Sequence, residues 1–356
     1  MMSKIYNIGI IGFGYVGQVF HAPIISSVCG LKLHTICDSS EKNLGLAEEK
    51  YPDVNRTTTV ATLLDDPNID IVVIGVPNAF HYDLAAQALE KGKHVIVEKP
   101  FTINSNDADK LISLAKQQQR LLSVHHNRRW DADFLTAKNV IDSKLLGDLV
   151  EYEAHFDQFV PRVNTQVWRE KDAPGSGVLF DVGSHLIDQA LTLFGLPNAI
   201  FCELRRQREQ ANTTDNFEVI LDYDKIKVTL KGGMLVKIPG PHFTLIGNQG
   251  SFIKYGIDQQ ESKLCAGLLP KDLADWGEET QEMHGEFATE INDMKISGKV
   301  VSVPGNYRAF YQNIRQTLDG EVELAVMPQQ ARNTIKVIEL AEKSAKEKKW
   351  LPYPVE

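Results

Sequence analysis

The segment Gly-Phe-Gly-Tyr-Val-Gly at Gly12–Gly17 constrains this chain more than any other, because an apolar run, Ile5–Ile11, leads straight into it. The run reads as a strand, and the residues after Gly14 read as the start of a helix. Strand, tight turn and helix in that order are the geometry that a dinucleotide pyrophosphate needs. In this reading Gly12 makes the turn, Gly14 lets the backbone approach phosphate, and Gly17 lets helix and strand pack closely. Phe13, Tyr15 and Val16 complete the loop, and the free N–H groups of the helix start face the phosphates. Glycine clusters also make ordinary turns, so the motif needs support from the rest of the chain.

Support comes from a second apolar run, Leu31–Cys37, which ends in Asp38, 21 residues after Gly17. A carboxylate at that point accepts hydrogen bonds from the adenosine ribose hydroxyls and repels a 2′-phosphate, so NAD is favoured and NADP stays possible. The plainer reading makes Asp38 a turn carboxylate beside Ser39 and Ser40. The glycines upstream tip the balance to ribose.

The chain's 356 residues suffice for two domains, and its net charge of −9 speaks against nucleic acid or an acidic membrane surface as a partner. Cys29, Cys37, Cys202 and Cys265 show no paired spacing of the zinc or redox kind. No basic leader opens the chain and no apolar run reaches bilayer length, so a cytoplasmic protein with reduced thiols is expected.

Strand and helix signals alternate through the first third, which predicts a parallel sheet with helices on both faces. Strands are expected at Thr57–Thr59, Asp70–Gly75, His94–Glu98 and Leu121–His125, and helices at Phe80–Lys91 and Ser105–Gln118. The pattern then changes to two-residue alternation at Leu149–Phe159, Phe217–Asp222, Lys227–Gly232 and Phe243–Ile246, with a hairpin turn at Gly247–Gly250. That style predicts a mostly antiparallel sheet with one buried face. A last helix is expected over Pro328–Lys349. The fold class is therefore α/β, with an N-terminal Rossmann domain over 1–127 and an α+β domain over 128–356.

Open parallel sheets bind ligands at their carboxyl edge, so polar residues at strand ends carry the chemistry. Glu98-Lys99-Pro100 ends the fifth parallel strand, and Pro100 keeps Lys99 extended. A lysine there serves as a base or as the positive group beside a developing oxyanion, or else pairs with Glu98 at the surface. Pro77-Asn78, with His81 beyond, either caps the next helix or faces the cofactor. Asp181, His185, Asp188 and Thr192 form a polar stripe on an otherwise apolar helix closed by Gly195. Asp181 caps that helix or orients His185 as a proton acceptor. With no third ligand evident, no metal site is expected. His125-His126-Asn127-Arg128-Arg129-Trp130, at the end of the sixth parallel strand, is either a hinge with solvated arginines or a pocket wall contributing Asn127 and Arg129, and Trp168-Arg169 is similarly open.

Taken together, these residues resemble the glucose–fructose oxidoreductase / inositol dehydrogenase (Gfo/Idh/MocA) family over essentially the full length. The resemblance rests on Gly12–Gly17, Glu98-Lys99-Pro100, the Asp181/His185 helix and the Val303–Tyr307…Phe310-Tyr311 segment. His126–Asp131, Trp168–Glu170 and Asp181–Gln189 look like the branch containing scyllo-inositol dehydrogenases. It implies a catalytic set of Lys99, Asp181 and His185, oxidation of a secondary alcohol of a sugar or cyclitol or the reverse, and a homodimer or homotetramer. NADP-using members of that branch lack an acidic residue where this chain has Asp38.

Overall fold

The computed structural model describes residues 4–165 and 167–354. They form two compact units, the first built from residues up to Asn127 with Gln259–Trp276 and Asn306–Arg332, the second from Arg128–Asp258, Gly277–Gly305 and Asn333 onward. The boundary expected at 127/128 is the first of five points where the chain passes from one unit to the other. Two continuous stretches, 1–127 and 128–356, therefore do not describe the division, because two later segments belong with the first unit.

The first unit carries a six-stranded parallel sheet: β1 (Tyr6–Ile11), β2 (Leu31–Cys37), β3 (Asn55–Thr57), β4 (Ile71–Ile74), β5 (His94–Val97) and β6 (Leu122–Val124). Their order is β3-β2-β1-β4-β5-β6, so the direction of strand progression reverses between β1 and β4. Such a reversal opens a crevice at the carboxyl ends of the two strands. Every residue of β4 is buried, as expected of a strand covered on both faces. The third strand lies two residues before its expected place, and the helix expected from Phe80 starts at His81 after one 3-10 turn, Asn78–Phe80.

The second unit carries nine strands: β7 (Leu149–Asp157), β8 (Ala199–Arg205), β9 (Asn216–Tyr223), β10 (Ile226–Gly233), β11 (Phe243–Gly247), β12 (Gly250–Lys254), β13 (Gly285–Ile291), β14 (Met294–Val300) and β15 (Leu351–Pro352). The order is β14-β13-β12-β11-β7-β10-β9-β8-β15. Only β7 and β10 run parallel to each other, so the sheet is mixed and mostly antiparallel. Tyr152, Ala154 and Phe156 of β7 are buried, as the alternation requires, and the helix Ser184–Phe194 packs over β7 and β10. On the other face, His155 lies between Glu153 (2.7 Å) and Asp157 (3.0 Å). Its burial opposes the charged form, but the two carboxylates outweigh that and raise its pKa.

No helix among the described residues is long and apolar enough to cross a membrane.

Candidate active site

The glycine loop has the form its sequence predicts. Gly12 has φ +94°, and a Cβ there would meet Gly75 O at 2.5 Å. A Cβ on Gly17 would meet Gly12 O at 2.5 Å, which is the close packing that glycine alone permits. At Gly14 a Cβ would meet nothing within 4 Å, so the backbone there faces open space. After the loop, Gly17–His21 forms a wide turn in which the Ala22 N–H reaches back to Gly17 O. Phe13 is buried against the edge of Tyr51, while Tyr15 is exposed and donates its hydroxyl to Glu261 (2.8 Å). An open backbone approach between two obligatory glycines fits a dinucleotide pyrophosphate.

Asp38 does more than end β2. Its Oδ2 accepts the Phe13 N–H (2.6 Å) and its Oδ1 accepts the Ser40 N–H (2.8 Å). The turn reading is thus correct as far as it goes, and the same carboxylate also pins the glycine loop. Each oxygen keeps a second lone pair for a ribose hydroxyl.

At the ends of β4 and β5 the polar residues separate into distinct roles. Pro77 is exposed and Asn78 is buried in the 3-10 turn, so the following helix is preceded by Phe80 and Asn78 is not its cap. His81 is buried, with Nδ1 2.9 Å from Pro100 O and Nε2 2.9 Å from Val76 O. Burial lowers its pKa despite those carbonyls. The neutral ring has one N–H, so it donates to one of these carbonyls and lies against the other, between the ends of two strands.

Glu98 is 5% exposed, so it is a buried carboxylate and not a surface one. Its Oε1 accepts from His125 Nδ1 (2.6 Å) and lies 3.1 Å from His21 Nε2, and its Oε2 accepts the Lys99 backbone N–H (3.0 Å). These contacts also leave its carboxylate turned inward rather than toward a cofactor. Burial alone would raise its pKa, but the two imidazoles facing it hold it well below the usual carboxylate range. Lys99 itself is half-buried at the carboxyl edge, and its peptide bond to Pro100 is cis.

In the second unit Asp181 lies in a wide turn, Leu179–Gly183, that leads into the helix Ser184–Phe194. It is half-buried, and the Arg169 Nε lies 3.4 Å from its Oδ2. His185 is 5% exposed in the first turn of the helix proper. Asp188, one turn further, is buried and takes both prongs of Arg129 (Nε 2.8 Å, Nη2 2.7 Å). Arg128 pairs with Asp131 at 3.0 Å. The arginines after Asn127 are therefore buried ion-pair partners, neither solvated nor held out for substrate, and Asn127, also buried, is the last residue before the chain leaves the first unit.

Trp168 and Arg169 form a 3-10 turn with Glu170, and Glu170 is gripped by Arg208 (Nη1 3.1 Å, Nη2 2.8 Å). Arg208 also donates through Nε to Asp215 (3.0 Å). Sequence reasoning missed Arg208 because nothing local marks an arginine whose two carboxylates lie 38 residues before it and 7 after it. It missed His21, whose hydrogen-bond partner, Tyr311, lies 290 residues on, for the same reason.

A glycine cradle at a strand-order reversal, an acidic residue after β2 and a lysine at the carboxyl edge define an oxidoreductase built to use a nicotinamide dinucleotide. Comparison with known proteins agrees. Residues 6–126 match the oxidoreductase family model for the NAD-binding Rossmann fold, and residues 138–354 match that for its C-terminal alpha/beta domain. The chain is 41% identical to the uncharacterized oxidoreductase YdgJ of Escherichia coli over 98% of its length and 99% of that protein. It is 37% identical to the scyllo-inositol 2-dehydrogenase (NADP(+)) IolW of Bacillus subtilis, over 97% of this chain and 95% of that one. The solved structure of the putative oxidoreductase yvaA from Bacillus subtilis superposes with a TM-score of 0.95 at 36% identity, covering 99% of this chain and 100% of that one. The chain belongs to the Gfo/Idh/MocA oxidoreductase family and is an NAD(P)-dependent enzyme.

Proposed function

We propose that this enzyme moves a hydride between a nicotinamide cofactor and a secondary alcohol of a sugar or cyclitol. The observation that carries the reading is Lys99, which leaves β5 at the carboxyl edge of the sheet that bears the glycine cradle, with its N–H held by Glu98 and the Pro100 carbonyl facing His81. The name of IolW supports the substrate class.

Oxidation takes a proton from the hydroxyl oxygen and a hydride from the carbinol carbon, leaving a carbonyl. A nicotinamide dinucleotide held at Gly12–Gly17 would supply the hydride acceptor. In this reading His185 takes the hydroxyl proton, Asp181 orients its imidazole and Lys99 stabilises the charge growing on oxygen. Arg169 beside Asp181 holds that carboxylate in place (3.4 Å). Gly12–Gly17 would hold the pyrophosphate and Asp38 the adenosine ribose, with NAD preferred.

A second reading is reduction of a sugar carbonyl with NADPH, and the NADP(+) in the name of IolW supports its choice of cofactor. Titration with NADH and with NADPH, following nicotinamide fluorescence, decides between them. At least tenfold tighter NADH (about 1.4 kcal/mol) supports the first reading, and a polyol oxidation screen starting with scyllo-inositol then tests the substrate class. Tighter NADPH supports the second, and the screen moves to carbonyl reduction. No turnover of any polyol or sugar carbonyl would remove both.

A further inference from the structure

Four side chains far apart in sequence, His21, Glu98, His125 and Tyr311, meet in one buried cluster of the first unit. Tyr311 belongs to the helix Arg308–Leu318 and His21 to the wide turn that leaves the glycine loop, while Glu98 and His125 follow β5 and β6. The Tyr311 hydroxyl is 2.7 Å from His21 Nδ1. His21 Nε2 lies 3.1 Å from the Glu98 carboxylate, outside hydrogen-bond geometry, while its Nδ1 shares a hydrogen bond with the Tyr311 hydroxyl. His125 Nδ1 must donate, because an ionised carboxylate only accepts. The rings of Phe20 and Phe310 close around His125.

The three potential ligand atoms invite a metal reading, and their spacing argues against it. Ligands about 2.1 Å from a tetrahedral ion stand about 3.4 Å apart, whereas His125 Nδ1 and Glu98 Oε1 are 2.6 Å apart and His21 Nε2 is 3.1 Å from that same oxygen. These are the distances of a network of hydrogen bonds and close polar contacts.

What the network holds is informative. Glu98 has one oxygen on the imidazoles and the other on the backbone N–H of Lys99 (3.0 Å). We infer that Glu98, His125, His21 and Tyr311 are positioning residues for Lys99: the imidazoles and the phenol fix the carboxylate, and the carboxylate fixes the peptide that carries the lysine. The inference rests on the proposed role of Lys99. It gives the Phe310-Tyr311 segment a task, and it links the exit of the glycine loop to the residue expected at the reacting oxygen. A displacement of the order of 1 Å at such a residue costs up to about 100-fold in rate.

Glu98→Gln tests it with little change of shape. An amide has one acceptor oxygen, so either the His125 N–H or the Lys99 N–H then faces an NH2 group. The Lys99 amide should exchange with deuterium at least ~10-fold faster than in wild type, and kcat on the polyol returned by the screen should fall ~10- to 100-fold, with KM and cofactor affinity within about threefold. His125→Ala should do the same. His125→Asn, which can keep a donor near the Nδ1 position, should restore most of both. If Glu98→Gln does not fold, Tyr311→Phe carries the test, with an expected twofold or greater change in both readouts. Unchanged Lys99 exchange or full kcat overturns the inference, as does a stoichiometric metal in the purified protein. Lys99→Ala separates the two levels. Normal turnover by that variant removes the role of Lys99 and the inference with it, whereas a dead Lys99→Ala beside a fully active Glu98→Gln removes the inference alone.

Discussion

Asp38 Oδ2 accepts the Phe13 N–H across 2.6 Å, joining the end of β2 to the middle of the glycine loop. One carboxylate thus shapes the cradle and is also the residue proposed to hold the ribose. Asp38→Ala should weaken NADH at least ~10-fold by removing both effects. NADPH loses the loop support but escapes repulsion, so its affinity should change less and the preference should narrow. Parallel fluorescence titrations check this, and an unchanged NADH/NADPH ratio would count against the ribose role.

Gly12 and Gly14 make opposite predictions. Gly12→Ala places a methyl 2.5 Å from Gly75 O at φ +94°, so the fold itself should suffer, seen as a large drop in Tm. Gly14→Ala meets nothing within the protein, so Tm should stay within a few degrees while NADH affinity falls at least ~10-fold. Loss of fold in Gly14→Ala, or unaltered NADH binding, would contradict an open phosphate cradle.

Lys99→Ala and His185→Ala should each lower kcat by roughly 10²–10⁴ while leaving NADH binding within about threefold. Steady-state kinetics across pH would show it, and near-normal turnover by His185→Ala would leave Lys99 as the sole proton acceptor.

Arg129 is a stability residue. Arg129→Ala leaves Asp188 buried without its bidentate partner, which should cost about 3–5 kcal/mol. Arg129→Met with Asp188→Leu should recover much of that. Denaturant melts of both variants beside the wild type check the coupling, and a selective rise in KM without loss of stability would restore the substrate role.

Stability should fall as the pH drops below about 6.5. Burial lowers His94 to about 4 and His242 to about 3, and it lowers His21 and His81 as well. Below the unfolded value near 6.5 the unfolded chain takes these protons first, so each histidine costs about 1.4 kcal/mol per pH unit until its folded pKa is reached. Asp133 opposes this: burial, with Asp258 adding, raises it to about 7, so it stabilises the fold as pH falls from there. Glu342, also raised by burial, and His155, raised by its two carboxylates, act in the same direction as Asp133. His94 and His242, with His21 and His81 adding to them, set the direction of the net change. Calorimetry from pH 7.5 to 5 should show the decline, and His94→Asn should flatten it by about one histidine's share.

Much of this was legible before any coordinates. The glycines, Asp38 and the apolar runs of the first unit are local signals, and their strands and helices formed within about two residues of expectation. Side-chain assignments were less secure, because partners come from afar. Arg129 looks like a pocket residue until Asp188, 59 positions on, is seen to hold it. His81 and Glu98 sit at the predicted edge, but their polar atoms are taken by Pro100 and by His21 and His125. Asp181 and His185 were read as one helical stripe, yet a wide turn separates Asp181 from the regular helix.

The division of the chain into units has a consequence for how the protein is made. Tyr6 of β1 donates to Asp319, Ser123 of β6 donates to the Val326 carbonyl, and His21 meets Tyr311, so the first unit is bonded to residues translated hundreds of positions later. A nascent chain leaves the ribosome at about 5–20 residues per second. The nucleotide-binding unit therefore waits, with its last contacts open, until the segment Asn306–Arg332 has emerged. A message cut short before residue 306 would yield a long polypeptide whose first unit lacks one of its three segments, so cofactor binding should be acquired late in translation.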